Sequence, residues 1–187
     1  MRWIDNLKEY IRTVRTRLYI SKNFPASKAI TVSHDFSMGK NNLFKISSHS
    51  EIQIHSSVSI RNFCSIIVED SAKLVIERRV FMNNYCSLNC LESIRIGENT
   101  IIGEGVKIYD HNHKYVTNPD FKVHPDLFST APVTIGKNCW IGSNVTILKG
   151  VEIGDNVIIG ANCLIYKSIR GNSIVKSKAE LIIDSIS

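Results

Sequence analysis

The segment YDHNHKY, residues 109–115, holds the side chains best suited to proton transfer. His111 and His113 are two residues apart, so on a β-strand they point to the same side. Imidazole titrates near neutral pH and can take a proton from a hydroxyl group. Asp110 precedes the pair directly. We therefore expect one histidine to act as a base while the other positions it or binds the substrate.

These residues lie where a sequence repeat is interrupted. Isoleucine recurs at every sixth position from Ile135 to Ile165, and a small or medium apolar residue follows four positions after most of these. A period of six fits neither an α-helix nor simple strand alternation. It predicts a parallel β-helix in which three six-residue units form a triangular turn of about 18 residues. Isoleucines 18 residues apart should then stack in adjacent turns: Ile135 on Ile153, Ile141 on Ile159 and Ile147 on Ile165.

The repeat begins irregularly near residue 30 and changes phase between Glu69 and Lys73 and again between Cys90 and Ser93. It stops at Asp110 and resumes near Val133. A long break in a compact repeat is usually functional. Residues 112–132 are therefore predicted to protrude from the β-helix as a loop.

We divide the chain into residues 1–26, a basic amphipathic helix with a linker, residues 27–170, the β-helix, and residues 171–187, a C-terminal cap or tail. Apolar residues at helical spacing mark the first segment, and Pro25 and Ser27 should end it. The first interpretation is that this apolar face packs on the β-helix or on a neighbouring subunit. The second is that it docks to a membrane surface or to a glycan-assembly complex.

Composition narrows the class of protein. The net charge of +6 suits an anionic cofactor, a nucleotide-linked substrate or an acidic membrane surface. No basic run is interleaved with aromatic residues, which disfavours nucleic acid. Four of the five cysteines fall on the fifth position of the repeat and are predicted to be small core residues: Cys64, Cys86, Cys139 and Cys163. Reduced cysteines and the lack of a signal peptide predict a cytoplasmic location, with peripheral placement at the inner membrane surface under the second interpretation of the helix.

Two segments carry a family resemblance. FMNNYCSLNCLESIRIGENTIIGEGVKIYDHNHKY, followed after the loop by APVTIGKNCWIGSNVTILKGVEIGDNVIIGANCLIYK, resembles the hexapeptide-repeat acyltransferases. The similarity is to the maltose and galactoside O-acetyltransferase branch, and more closely to the branch that O-acetylates capsular, exopolysaccharide or lipopolysaccharide sugars. The resemblance implies an all-β, left-handed parallel β-helix. It also implies acetyl-CoA as co-substrate, a carbohydrate acceptor, no metal, and a homotrimer with active sites between subunits.

The resemblance also assigns residues. His113 matches the catalytic base, and Asn83 matches an asparagine that contacts the acceptor sugar. Trp140, Ser143, Ala161 and Lys167 match positions along the coenzyme A channel. Asp110 is assigned with His113 to the catalytic group and His111 to the acceptor site. His113 would deprotonate a sugar hydroxyl that attacks the acetyl thioester, and backbone N–H groups would stabilise the oxyanion.

Two departures from the family pattern concern ligand contacts. The family usually ends in a valine-alanine-glycine-x-proline run followed by basic residues that hold the nucleotide of the coenzyme. Here the equivalent stretch is IVKSKAEL, residues 174–181, in which Lys176 and Lys178 are the candidate substitutes. Leu91 stands where the sugar-specific branch has an acidic residue, with Glu92 beside it.

Other functions stay open at this point. Within the enzyme class, the alternative is N-acetylation of a nucleotide-linked amino sugar. A zinc enzyme similar to the γ-carbonic anhydrases would use His111, His113 and His124, but no two histidines here are five residues apart as in that family. A non-catalytic β-helix scaffold is a third class.

Overall fold

The computed structural model describes residues 2–24 and 29–178, with side chains from residue 10 onwards. Over these residues one helix, α1 (Arg2–Asn23), precedes a left-handed parallel β-helix, as the repeat and the resemblance predicted. No helix in these ranges is both long and apolar enough to span a membrane.

Three parallel sheets form the faces of the triangular prism. The first sheet contains β1 (Ile30–Val32), β4 (Glu51–Ile54), β7 (Lys73–Ile76), β10 (Ser93–Ile96), β15 (Val133–Ile135) and β18 (Glu152–Ile153). The second contains β2 (Ser37–Met38), β5 (Ser59–Ile60), β8 (Phe81–Met82), β11 (Ile101–Ile102), β16 (Trp140–Ile141), β19 (Ile158–Ile159) and β21 (Ile174–Val175). The third contains β3 (Leu43–Ile46), β6 (Ser65–Val68), β9 (Ser87–Cys90), β12 (Lys107–Tyr109), β17 (Thr146–Ile147) and β20 (Leu164–Ile165).

The interior is the column of inward side chains that the six-residue period predicted. Ile135 pairs with Ile153, Ile141 with Ile159 and Ile147 with Ile165, each in parallel register. The four cysteines of the fifth position are buried and unbridged, and Cys90 is buried with them. Each turn thus completes the core of the turn before it.

The first turns contain more residues than three six-residue units. Ile30 pairs with Ile52 and Ile52 with Leu74, a spacing of 22 residues, whereas Thr134 pairs with Glu152 at a spacing of 18. The extra residues lengthen the strands of two faces, so that β4 buries both Ile52 and Ile54, whereas β18 of the same face buries only Ile153. The phase changes in the sequence mark the end of these wider turns.

Helix α1 closes the N-terminal end of the prism. The hydroxyl of Thr16 is buried, donates to the carbonyl of Arg12 at 2.8 Å and accepts from the N–H of Met38 at 3.0 Å. The rings of Tyr19 and Phe24 lie against Phe44 of the first turn. The opposite face of the helix leaves apolar side chains exposed: Tyr10, Ile11, Val14 and Leu18.

Candidate active site

The predicted loop is an antiparallel hairpin that leaves the prism between the third and first sheets. Its strands are β13 (His111–Val116) and β14 (Lys122–Thr130), and it is the arm expected for residues 112–132. Two contacts fix its root. The N–H of Ala131 donates to the carbonyl of Asp110 at 2.9 Å, and the Lys149 ammonium donates to the Ser129 hydroxyl at 2.8 Å.

The two histidines of β13 face the same side, because both rings contact Phe128 across the hairpin. The ring centroid of His113 lies 4.7 Å from that of Phe128, and the ring of His111 lies 5.2 Å away, edge to face. His111 is half-buried between Tyr109 and Phe128, whereas His113 is exposed. His113 and His124 also line a shallow cavity of about 330 Å³ on the hairpin. Of the two predicted histidines, His113 is therefore the one free to meet a ligand.

Asp110 lies inside the prism and has no exposed surface. Its carboxylate accepts from the backbone N–H groups of Leu91, Glu92 and Ser93 at 2.8–3.0 Å. One oxygen also lies 3.3 Å from Nδ1 of His111. A carboxylate used in this way cannot touch a substrate, so we reassign Asp110 from the catalytic group to a residue that holds the root of the hairpin.

Asn83 lies on a different edge of the prism, between the second and third sheets. It follows β8, and the residues in the same position of the next turns are glycines: Gly103, Gly142 and Gly160. A Cβ on Gly103 would lie 2.7 Å from the Ser143 nitrogen, and one on Gly142 would lie 2.6 Å from the Ala161 nitrogen. Side chains are thus excluded here, and a smooth strip of backbone runs along this edge from Asn83.

Three of the four predicted coenzyme residues flank this glycine strip. Trp140 faces outward from the second sheet with 55% of its surface exposed, in register with Ile101 and Ile158. Ser143 and Ala161 occupy the adjacent corner position in successive turns. Apolar side chains on one side and peptide groups on the other suit a long, narrow ligand that carries amide bonds.

Lys167 is not on this edge. It follows β20 at the edge that also carries the hairpin, and its ammonium lies over the Tyr166 ring at 5.5 Å. We call the edge with Asn83, the glycine strip, Ser143 and Ala161 the Asn83 edge. The edge with Asp110, His111, His113 and Lys167 is the His113 edge. One chain therefore carries the predicted site residues as two separate groups, a division that sequence reasoning missed.

Three of the buried thiols, those of Cys86, Cys90 and Cys139, are unsuited to nucleophilic catalysis. Burial raises the pKa of Cys90 and of Cys139, and a hydrogen bond donated to Cys64 together with burial raises the pKa of Cys86. These thiols stay protonated at neutral pH, and the protonated form is a poor nucleophile. For Cys86 and Cys139 this agrees with their prediction as core residues.

Fold and site together define a hexapeptide-repeat β-helix protein with a histidine-bearing arm. Residues 132–167 match the family described as "Bacterial transferase hexapeptide (six repeats)". WbbJ of Escherichia coli (strain K12), named for O-acetyl transfer in lipopolysaccharide biosynthesis, is 34% identical over 102 residues. The match covers 51% of this chain and 52% of WbbJ, so the chain spans about half the length of this curated relative.

Two solved structures have the same fold. AntD, an N-acyltransferase from Bacillus cereus in complex with dTDP and 3-hydroxybutyryl-CoA, matches with a TM-score of 0.60 at 19% identity, over 75% of this chain and 74% of AntD. The hexapeptide-repeat acetyltransferase VCA0836 from Vibrio cholerae, complexed with acetyl coenzyme A, matches with a TM-score of 0.52 at 19% identity, over 89% of this chain and 81% of that protein. In the described part of our chain, no group of three histidine, cysteine, aspartate or glutamate side chains is placed to hold a metal ion.

Proposed function

We propose that this protein transfers an acetyl group from acetyl-CoA to a hydroxyl group of a sugar in a surface polysaccharide. The proposal rests on one observation: the chain has both an exposed histidine on the arm, His113, and a glycine strip without side chains that begins at Asn83. The WbbJ similarity and the coenzyme complexes of the two structural neighbours support it.

In the proposed reaction the coenzyme lies along the glycine strip, with its pantetheine arm beside Trp140 and its thioester near Asn83. The imidazole of His113 takes the proton of the acceptor hydroxyl as its oxygen attacks the thioester carbonyl. The N–H groups of the strip glycines already donate to the next turn, so the backbone N–H of a corner residue beside the strip, such as Ser143, stabilises the oxyanion. When the carbon–sulfur bond breaks, the imidazolium returns the proton to the departing thiolate, which yields the ester and free coenzyme A.

The two edges require more than one chain for this reaction. A ligand on the Asn83 edge of one prism cannot also touch the His113 edge of the same prism, because the third sheet lies between them. A neighbouring copy that presents its hairpin to the Asn83 edge would complete the site. Closed threefold symmetry would repeat this contact without unpaired surfaces, so we propose a homotrimer with three sites between subunits.

A second candidate is N-acylation of a nucleotide-linked amino sugar. The similarity to AntD, which was solved with dTDP, favours it. The same histidine would then deprotonate an ammonium or an attacking amine in place of a hydroxyl.

Coenzyme A release from acetyl-CoA, measured with a panel of oligosaccharides and amino-sugar nucleotides, separates the two candidates. The His113→Ala variant should lose at least about 10²-fold in kcat. His55→Ala, which removes an exposed histidine of an early turn, is the matched control and should keep full activity. Turnover of H113A near that of the wild type would refute the assignment of the base.

A further inference from the structure

The Asn83 edge carries a column of residues with left-handed backbone. One corner residue per turn donates its N–H to a carbonyl of the preceding turn, as Phe63 does to Lys40 and Tyr85 to Asn62. All have φ between 56° and 68°. The column is Asn41, Phe63, Tyr85, Gly105, Asn144 and Asn162.

Asparagine and glycine are the residues that tolerate this conformation, and four members of the column obey that rule. Phe63 and Tyr85 break it, with φ of 58° and 59°. A large side chain in this conformation costs free energy and usually persists where it serves a function. The two exceptions lie in adjacent turns, so one explanation has to cover both.

The two rings do not contribute to the core. Their centroids are 5.2 Å apart and their planes differ by 8°, yet 48% of Phe63 and 56% of Tyr85 remains exposed. Because the residues lie in successive turns, the rings stack along the prism axis. The second face of Tyr85 therefore points to the next turn, where Gly105 has no side chain to cover it.

Amide groups follow the same edge beside the rings. The Asn62 amide donates to Oδ1 of Asn84 at 3.3 Å, and the Asn84 amide donates to a Glu104 carboxylate oxygen at 3.4 Å. Asn83, the proposed acceptor contact, is two residues before Tyr85 in the same turn. A flat apolar surface bordered by amides and a carboxylate matches a sugar ring, which has an apolar C–H face and a rim of hydroxyl groups.

We infer that Phe63 and Tyr85 form a platform that binds a second sugar unit of the acceptor, next to the unit that is acetylated. The acceptor is then an oligosaccharide and not a free monosaccharide. This inference rests on the proposed function and specifies its substrate.

The double variant Phe63→Asn with Tyr85→Asn tests the platform, because asparagine is the residue that other turns use at this corner. Because the double variant relieves the backbone strain, its free energy of unfolding should be unchanged or higher. If the rings of Phe63 and Tyr85 served only packing, their removal would lower the free energy of unfolding. Ser71→Asn is the control, since Ser71 is exposed at another corner with φ of 61°. Denaturant unfolding measures both.

Binding is measured by saturation-transfer NMR with glucose, galactose and N-acetylglucosamine and with their β-linked di- and tetrasaccharides. The wild type should bind at least one oligosaccharide about tenfold more tightly than its monosaccharide, with saturation of the second ring, and the double variant should lose that factor. The S71N control should retain it.

Three results would overturn the platform: oligosaccharides that bind no better than monosaccharides, equal binding by the double variant, or a double variant that unfolds readily or dissociates as an oligomer. The last would show that the rings are a packing or subunit contact. Acetyl-CoA binding, followed by calorimetry in the same samples, separates failure of the platform from failure of the proposed function. If the coenzyme still binds, the transferase proposal survives without the platform, and if it does not, the proposed function itself fails.

Discussion

At the scale of the residue, the segment from Asp110 to His113 divides two roles between neighbouring side chains. His113 is exposed on the hairpin, where an acceptor can reach it, whereas Asp110 is buried beneath. The sequence pattern predicted that both histidines face one side, and their shared contact with Phe128 confirms it. Burial of Asp110 was not predictable, because the inward position it occupies comes from the wider turns and not from the six-residue period.

The Asp110→Asn variant should lower the free energy of unfolding by about 2 kcal/mol or more, because one acceptor oxygen becomes a donor that faces backbone N–H groups. Asp126→Asn on the exposed part of the hairpin is the matched control and should change stability little. Urea unfolding measures both. A D110N variant with unchanged stability but a 10²-fold loss of kcat would restore Asp110 to the catalytic group.

At the scale of the element, the regular turns were predictable and the irregular ones were not. From Ile135 onwards each six-residue unit buries its isoleucine and its fifth residue, so period and stacking follow directly from the sequence. In the earlier turns, strands of the first and third faces such as β4 and β6 bury two residues each, and the period fails although the fold continues. The edge on which a residue lies depends on how many residues each preceding side of the triangular prism contains. The separation of Asn83 from His113 therefore emerged only from the structure.

Helix α1 also belongs to this scale, because it covers the open end of the core through the buried Thr16 hydroxyl and the rings of Tyr19 and Phe24. Thr16→Val keeps the shape of the side chain but removes the acceptor for the Met38 N–H. A buried N–H without a partner costs about 1–3 kcal/mol, so thermal unfolding should begin at a lower temperature. Thr130→Val, at an exposed site, should not have this effect. Equal stability of the two variants would show that the Thr16 hydroxyl does not hold the helix on the first turn.

At the scale of the whole molecule, the account depends on two edges that one chain cannot bring together. The His113 edge supplies the base, and the Asn83 edge supplies the glycine strip and the acceptor contact. Every site of the proposed trimer would therefore take His113 from one subunit and Asn83 from the next. Variants at the two positions should damage the same site from opposite sides.

Co-expression of the His113→Ala and Asn83→Ala chains tests this claim most directly. Each variant alone should be nearly inactive. In randomly mixed trimers about a quarter of the sites would combine an intact His113 from one chain with an intact Asn83 from its neighbour. Acetyl transfer by the whole randomly assembled population should thus recover to about a quarter of the wild-type rate. Mixed trimers as inactive as the single variants would contradict a site shared between subunits.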